Sequence, residues 1–204
     1  MKLVVGLGNP GPRAREQRHS VGFRVVDAVA QTAGIPLDRP RFGGRFGQGR
    51  WQGAEVALLQ PETWMNRSGR SVEAAIAGLG LALSDLLVVV DDVDLPLGRL
   101  RLRARGGDGG QRGLGDILAR TGEEVARLRF GIGRPAPGQD TAAHVLDRFS
   151  EAEAATVRRS MPRAVDAVSC WVREGITPAM DRYNATPDDA PVPESGTKSG
   201  GGSW

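Results

Sequence analysis

Residues 2–11, KLVVGLGNPG, place a short apolar run directly before a glycine- and proline-rich turn. A run this short, rich in β-branched residues and bounded by turn formers, predicts a strand buried on both faces. Residues 21–33, VGFRVVDAVAQTA, then carry apolar side chains at Val25, Val26, Val29 and Ala30, the spacing of one helix face, with Gly34 and Pro36 as stop signals. Strand followed by helix is the opening unit of an α/β sheet. Residues 41–60 predict a hairpin that turns near Gly53, and residues 68–80 a helix capped by Ser68. Residues 86–90, LLVVV, form the most apolar run and are expected as the central strand, which ends in Asp91, Asp92 and Asp94. The expected fold is a single α/β domain over residues 1–185, with a twisted, mixed and largely parallel sheet flanked by helices.

Residues 99–103, RLRLR, alternate strictly, so Leu100 and Leu102 face a core while Arg99, Arg101 and Arg103 share the opposite face. That face suits either a solvated edge strand or a phosphate clamp. A glycine-rich loop and short helix (residues 104–117, ARGGDGGQRGLGDI) and another strand (residues 125–132) follow. Ser150 and Glu153 have the spacing of a capping box, Pro162 is expected to break or kink the helix it opens, and Thr177 with Pro178 opens a last helix. Residues 186–204, which end in Trp204, combine proline, serine, glycine and charge with almost nothing to bury and read as a disordered tail.

Of 204 residues 40% are hydrophobic, enough for a core that needs neither metal nor disulfide. The one cysteine, Cys170, lies in an apolar helical stretch and reads as a small buried hydrophobe in a reducing compartment. The apolar start is too short for a signal peptide or membrane span, so a cytoplasmic protein is expected. Net charge is +3; residues 186–204 carry a net −2, which leaves +5 on the body, a balance that suits an anionic partner.

Gly6, Gly8 and Gly11 match the glycine fingerprint of dinucleotide-binding folds, but the context does not. The residues after Gly11 are polar, and no later strand ends in an acid at the distance a ribose hydroxyl requires. A better use of this turn is to project Asn9 from the carboxyl end of the first strand, where open α/β sheets gather functional groups. Asn66, Asp91 and His19 are placed to join it. His19 lies among polar loop residues and can accept a proton at neutral pH, with Asp91 as the carboxylate that fixes its tautomer. His144, the other histidine, lies on an amphipathic stretch and reads as structural. No serine or cysteine elbow accompanies the pair, which points to water as the nucleophile.

The blocks VVGLGNPG (4–11), RHSVGF (18–23), PETWMNRSG (61–69), VVVDDVDLPLG (88–98), GGDGGQRGLGDI (106–117) and RFGIGRP (129–135) resemble, in order, the signature blocks of bacterial peptidyl-tRNA hydrolases. The resemblance spans residues 3 to about 184. It implies a monomeric α/β enzyme that cleaves the ester between a peptide and the 3′-terminal ribose of tRNA and recycles tRNA from stalled translation, with no metal or other cofactor. It makes His19 the general base, Asp91 its orienting acid, and Asn9, Met65, Asn66 and Arg112 the substrate-binding set. Arg101 and Arg103 fall where the family grips tRNA phosphates. Four positions depart from the pattern. Ser20 stands where asparagine is usual, Ala14 where tyrosine is frequent, and Gln111 and Arg112 replace a histidine and the asparagine thought to position water and polarise the ester. Arg112 is the candidate electrophile in that asparagine's place. The competing reading is a protein of the same fold that binds RNA or ribosomal particles without turnover.

Overall fold

A computed structural model describes residues 1–185. Its seven strands are β1 (Lys2–Gly6), β2 (Arg39–Arg41), β3 (Gly44–Trp51), β4 (Ala54–Pro61), β5 (Leu86–Asp92), β6 (Leu100–Arg103) and β7 (Ala126–Gly131). They form one sheet in the order β2-β3-β4-β1-β5-β7-β6. The four consecutive strands β4, β1, β5 and β7 are mutually parallel, with β3 and β2 added antiparallel on one side and β6 antiparallel on the other. The sheet is thus mixed, with a parallel centre. β1 holds the middle position; β5, the most apolar strand, lies beside it.

The helices are α1 (Val21–Ala33), α2 (Ser68–Leu79), α3 (Arg112–Thr121), α4 (Thr141–Leu146), α5 (Glu151–Glu174) and α6 (Ile176–Tyr183). Alternate residues of the interior strands enter two separate cores. Val4, Leu87 and Val89 pack with residues of α1, α5 and α6, whereas Leu3, Val5, Leu86, Val88 and Val90 pack with residues of α2 and α3. Burial on both faces is the reason that β1 and β5 read as unbroken apolar runs.

The glycines of the apparent dinucleotide fingerprint serve helix packing. A Cβ on Gly6 would lie 2.2 Å from the Gly22 carbonyl oxygen, and one on Gly8 would lie 2.8 Å from the Phe23 ring. On the facing helix, a Cβ on Gly22 would meet Val89 O at 2.4 Å and Leu7 N and O at 2.6 Å. The start of α1 therefore lies almost against the backbone of β1, immediately after His19. The three atoms nearest a Gly22 Cβ are all main chain, so Gly22→Ala is expected to cost about 1–3 kcal/mol or more by overpacking. Denaturant unfolding of the variant checks this; an unchanged midpoint and slope would show that the two backbones separate freely.

Several local expectations need correction. Ser68 does not cap α2 but is its first residue; its hydroxyl donates to Met65 O at 2.8 Å, and Arg67 occupies the cap without a side-chain bond. Pro162 does not interrupt the long helix, which runs from Glu151 to Glu174. Pro162 and Arg158, whose carbonyl loses its partner, are both exposed, so water can satisfy that oxygen, while the following turns bury Ala164, Val168 and Trp171. The predicted hairpin forms between β3 and β4, with Gln52 and Gly53 at φ of 53° and 78°, the left-handed pair of a type I′ turn. The capping box is present, with Ser150 Oγ accepting from Glu153 N and Glu153 Oε2 accepting from Ser150 N. Cys170 is fully buried, and His144 is buried with its Nε2 3.0 Å from Gly133 O, which accepts from it. The expectation for residues 186–204, including Trp204, lies outside the described residues. Among the described residues no helix is long and apolar enough to cross a membrane.

Candidate active site and the adjoining arginine groove

The carboxyl ends of three neighbouring parallel strands build the site. β1 runs out into Leu7, Gly8 and Asn9; β4 runs out into the turn that holds Met65 and Asn66; β5 ends on Asp91 and Asp92. The loop between β6 and β7 contributes Gln111 and Arg112 at the start of α3, and the 3-10 turn Arg18–Ser20 before α1 contributes His19. Asn9, His19, Met65, Asn66, Asp91 and Arg112 all line one cavity of about 560 Å³. The wall also includes the exposed side chains of Trp64 and Leu146.

His19 Nδ1 is 2.8 Å from Asp91 Oδ2, and Asp91 is buried. An ionised carboxylate only accepts, so Nδ1 carries the hydrogen of the neutral imidazole and Nε2 keeps its lone pair. The backbone holding His19 is tied to the segment between α4 and α5 and to the start of α5. Arg18 N donates to Asp147 O, and the buried Arg18 side chain pairs with Glu153 at 2.8 Å and stacks on Phe149 at 5.3 Å. Glu153 feels burial, which raises its pKa, but the hydrogen bonds from Ser150 and the charge of Arg18 outweigh that and hold it below the usual value. The same carboxylate thus closes the cap of α5 and anchors the residue before His19.

Asn9 is fixed by two bonds. Its backbone N–H donates to Ser20 Oγ at 3.2 Å, and its Oδ1 accepts from Met65 N at 3.2 Å. With that oxygen engaged, the amide NH2 is the group left to face a ligand. Ser20, one of the departures from the family pattern, is fully buried and does this positioning work. Gln111, another departure, is buried and donates from Nε2 to Asp91 Oδ1 at 3.2 Å, a contact that the sequence did not reveal. Its place immediately before the helical stretch RGLGDIL was the available signal, because that is a cap position. Arg112 is exposed at the first position of α3 and lines the cavity. The cavity lining contains neither serine nor cysteine.

Arg101 and Arg103 do not line this cavity. They line an adjoining groove of about 400 Å³ with Arg105, Arg127 and Arg129, and Asp92 borders both spaces. The register between β6 and β7 sets Arg101 opposite Arg129 and Arg103 opposite Arg127. Like charges directly across a strand pair repel, so this arrangement is costly without an anion. The groove's two acids are already engaged, Asp92 with Arg129 at 3.1 Å and Asp94 with Arg134 at 2.9 Å. Arg127 is fully buried and, among the described residues, bonds to the carbonyls of Gly106, Gly107 and Glu123. Burial, and after it the charge of Arg129, lowers the pKa of its guanidinium, with Glu123 opposing. The sequence reading does not single out Arg127 and Arg129; the alternation in ARLRF, set beside RLRLR, is the signal for them.

A base beside a buried acid, amides around it and a lining with neither serine nor cysteine fit a hydrolase site that works through water. The arginine groove beside it fits a substrate that carries phosphates. Residues 3–191 match the family model for peptidyl-tRNA hydrolase. A peptidyl-tRNA hydrolase of Symbiobacterium thermophilum is 50% identical over 187 residues, covering 90% of this chain and 98% of the relative. One from a Synechococcus strain is 50% identical over 186 residues, covering 90% and 83%. The crystal structure of peptidyl-tRNA hydrolase from Acinetobacter baumannii superposes with a TM-score of 0.85 at 37% identity, covering 91% of this chain and 95% of that one. The chain belongs to the peptidyl-tRNA hydrolase family.

Proposed function

We propose that this protein hydrolyses the ester between a peptide and the 3′-terminal ribose of tRNA, as a monomer in the cytoplasm, and so recycles tRNA from stalled translation. The observation that carries the reading is the His19–Asp91 pair at 2.8 Å in a cavity that opens at Asp92 onto a groove with five arginines. His19 Nε2 takes a proton from water, and the resulting hydroxide attacks the ester carbonyl. The tetrahedral intermediate collapses by breaking its bond to the ribose oxygen, which takes back the proton held on His19 Nε2 as it leaves. Asp91 supports the imidazolium formed on the way. The free NH2 of Asn9 donates to a carbonyl oxygen of the substrate, Asn66 holds peptide main chain or terminal ribose, and Met65 closes the wall. The guanidinium of Arg112 supplies positive charge where the oxyanion develops.

Phosphates of the acceptor end lie in the groove, so affinity is independent of base sequence, as an enzyme serving many tRNAs requires. Arg103→Ala is expected to weaken tRNA binding across different tRNAs and to lower the slope of log K against log salt by about one, with kcat little changed. Binding titrations at several salt concentrations check this, and an unaltered slope would remove Arg103 from the contact. Incubation with N-acetyl-aminoacyl-tRNA and with unblocked aminoacyl-tRNA tests the whole reading. Release from the blocked substrate alone supports it; binding without release would favour a non-catalytic RNA-binding protein, against which the oriented base and acid already argue.

A further inference from the structure

The mechanism above leaves one buried polar side chain in the active-site wall without a role. Gln111 reaches three groups at once. Its Oε1 accepts from Leu114 N at 2.6 Å, the N-cap bond of α3. Its Nε2 is 3.2 Å from Asp91 Oδ1 and 3.3 Å from Met65 Sδ. The cap determines which way the amide faces. Because the Leu114 N–H needs an acceptor, the oxygen must point to the helix, and the NH2 is left to point at Asp91.

We propose that Gln111 is a positioning residue that sets the orientation of Asp91 and, through it, the tautomer of His19. This inference rests on the reading of His19 as general base. The chain of bonds runs from the first turn of α3 through Gln111 to Asp91 Oδ1, and from Asp91 Oδ2 to His19 Nδ1. Each carboxylate oxygen therefore faces one donor, and Asp91 has a single low-energy plane in which both bonds are made. A carboxylate held on one oxygen alone could rotate about its own axis and lose alignment with the imidazole. The amide side chain does not itself titrate, so it adds no ionisable group to the His19–Asp91 pair. Met65 ties the same network to Asn9, because the residue whose sulfur contacts Gln111 also donates its N–H to Asn9 Oδ1. Close packing leaves Gln111 little freedom, since a Cβ on Gly113 would lie 2.5 Å from Met65 Sδ and 3.1 Å from Gln111 Oε1.

Gln111→Glu separates a capping role from a positioning role. The carboxylate still accepts from Leu114 N, so the cap is retained. Its other oxygen then faces Asp91, and two carboxyl groups that close hold a proton between them at low pH and repel once it is lost. The expected result is a fall in kcat/KM of roughly 10- to 100-fold on the alkaline side, by analogy with the loss of a partner that orients a metal-binding side chain. The deficit should shrink as pH is lowered. Gln111→Met, which offers no donor and only a weak sulfur acceptor, should lose activity without that pH dependence.

A readout independent of turnover is the imidazole nitrogen spectrum. The chain has only two histidines, and His19→Ala assigns them. Neutral His19 should appear as the Nδ1–H form in the wild type, and as a mixture or the Nε2–H form in Gln111→Glu at high pH. A wild-type pH profile together with an unchanged His19 tautomer in the Glu variant would overturn the proposal and leave Gln111 as a cap alone. If the wild type itself released no acyl group, the general-base reading would fail, while the tautomer measurement would still decide the role of Gln111.

Discussion

His19→Ala is expected to lower turnover of N-acetyl-aminoacyl-tRNA by about 10² to 10⁴, the usual contribution of a positioned general base, while tRNA affinity stays within a few-fold of the wild type. The separation follows from the layout. His19 lines the cavity at the strand ends and is not part of the arginine groove, which is built from β6, β7, the loop between them and the end of β5 with the residues after it. Removing the imidazole leaves Asp91 bonded to Gln111 and without its second donor, a local loss that does not reach the arginines of the groove. Single-turnover release and equilibrium tRNA binding, measured on the same preparation, check the two halves. Equal turnover in the variant would remove His19 from the mechanism. A parallel collapse of affinity would mean that the groove and the cavity are not separable.

The parts of this arrangement that sequence exposes are those imposed by local pattern. β1, α1 and β5 follow from apolar spacing, and the placement of Asn9, Asn66 and Asp91 at strand ends follows once a parallel centre is assumed. What local pattern cannot show is which side chains meet across the sheet. The pairing of Arg101 with Arg129 and of Arg103 with Arg127 depends on an antiparallel register between strands more than twenty residues apart. The role of Gln111 depends on the first turn of α3 coming to rest against the end of β5. The short strand β2 and the six-residue helix α4 were also missed, since three and six residues give too few periods to recognise. Ser20, a departure when only the family pattern is considered, is buried beneath Asn9 and hydrogen-bonded to it, so its meaning is geometric and appears only in the fold.

Asp91→Asn is expected to lose activity on the scale of His19→Ala, although it removes no reacting atom. Two donors converge on the buried carboxylate, the Nδ1–H of His19 on Oδ2 and the Nε2–H of Gln111 on Oδ1. An amide at that position can accept from only one of them. If its oxygen faces Gln111, its NH2 faces His19, which must then turn its lone pair inward on Nδ1 and carry the hydrogen on Nε2, where it cannot accept a proton from water. If its oxygen faces His19, its NH2 opposes the NH2 of Gln111, which cannot flip because its own oxygen is held by Leu114 N. That buried donor–donor contact costs about 1–3 kcal/mol and favours the inactive arrangement. The same exchange beside the catalytic histidine of a serine protease costs roughly 10⁴ in kcat through the wrong tautomer, and a loss of about 10³ to 10⁴ is expected here. Measured kcat with blocked aminoacyl-tRNA tests the size of the effect. Partial recovery in the double variant Asp91→Asn with Gln111→Met, where the opposing amide is gone, tests its cause. A single variant that kept more than a tenth of wild-type turnover would show that His19 is oriented by something other than Asp91.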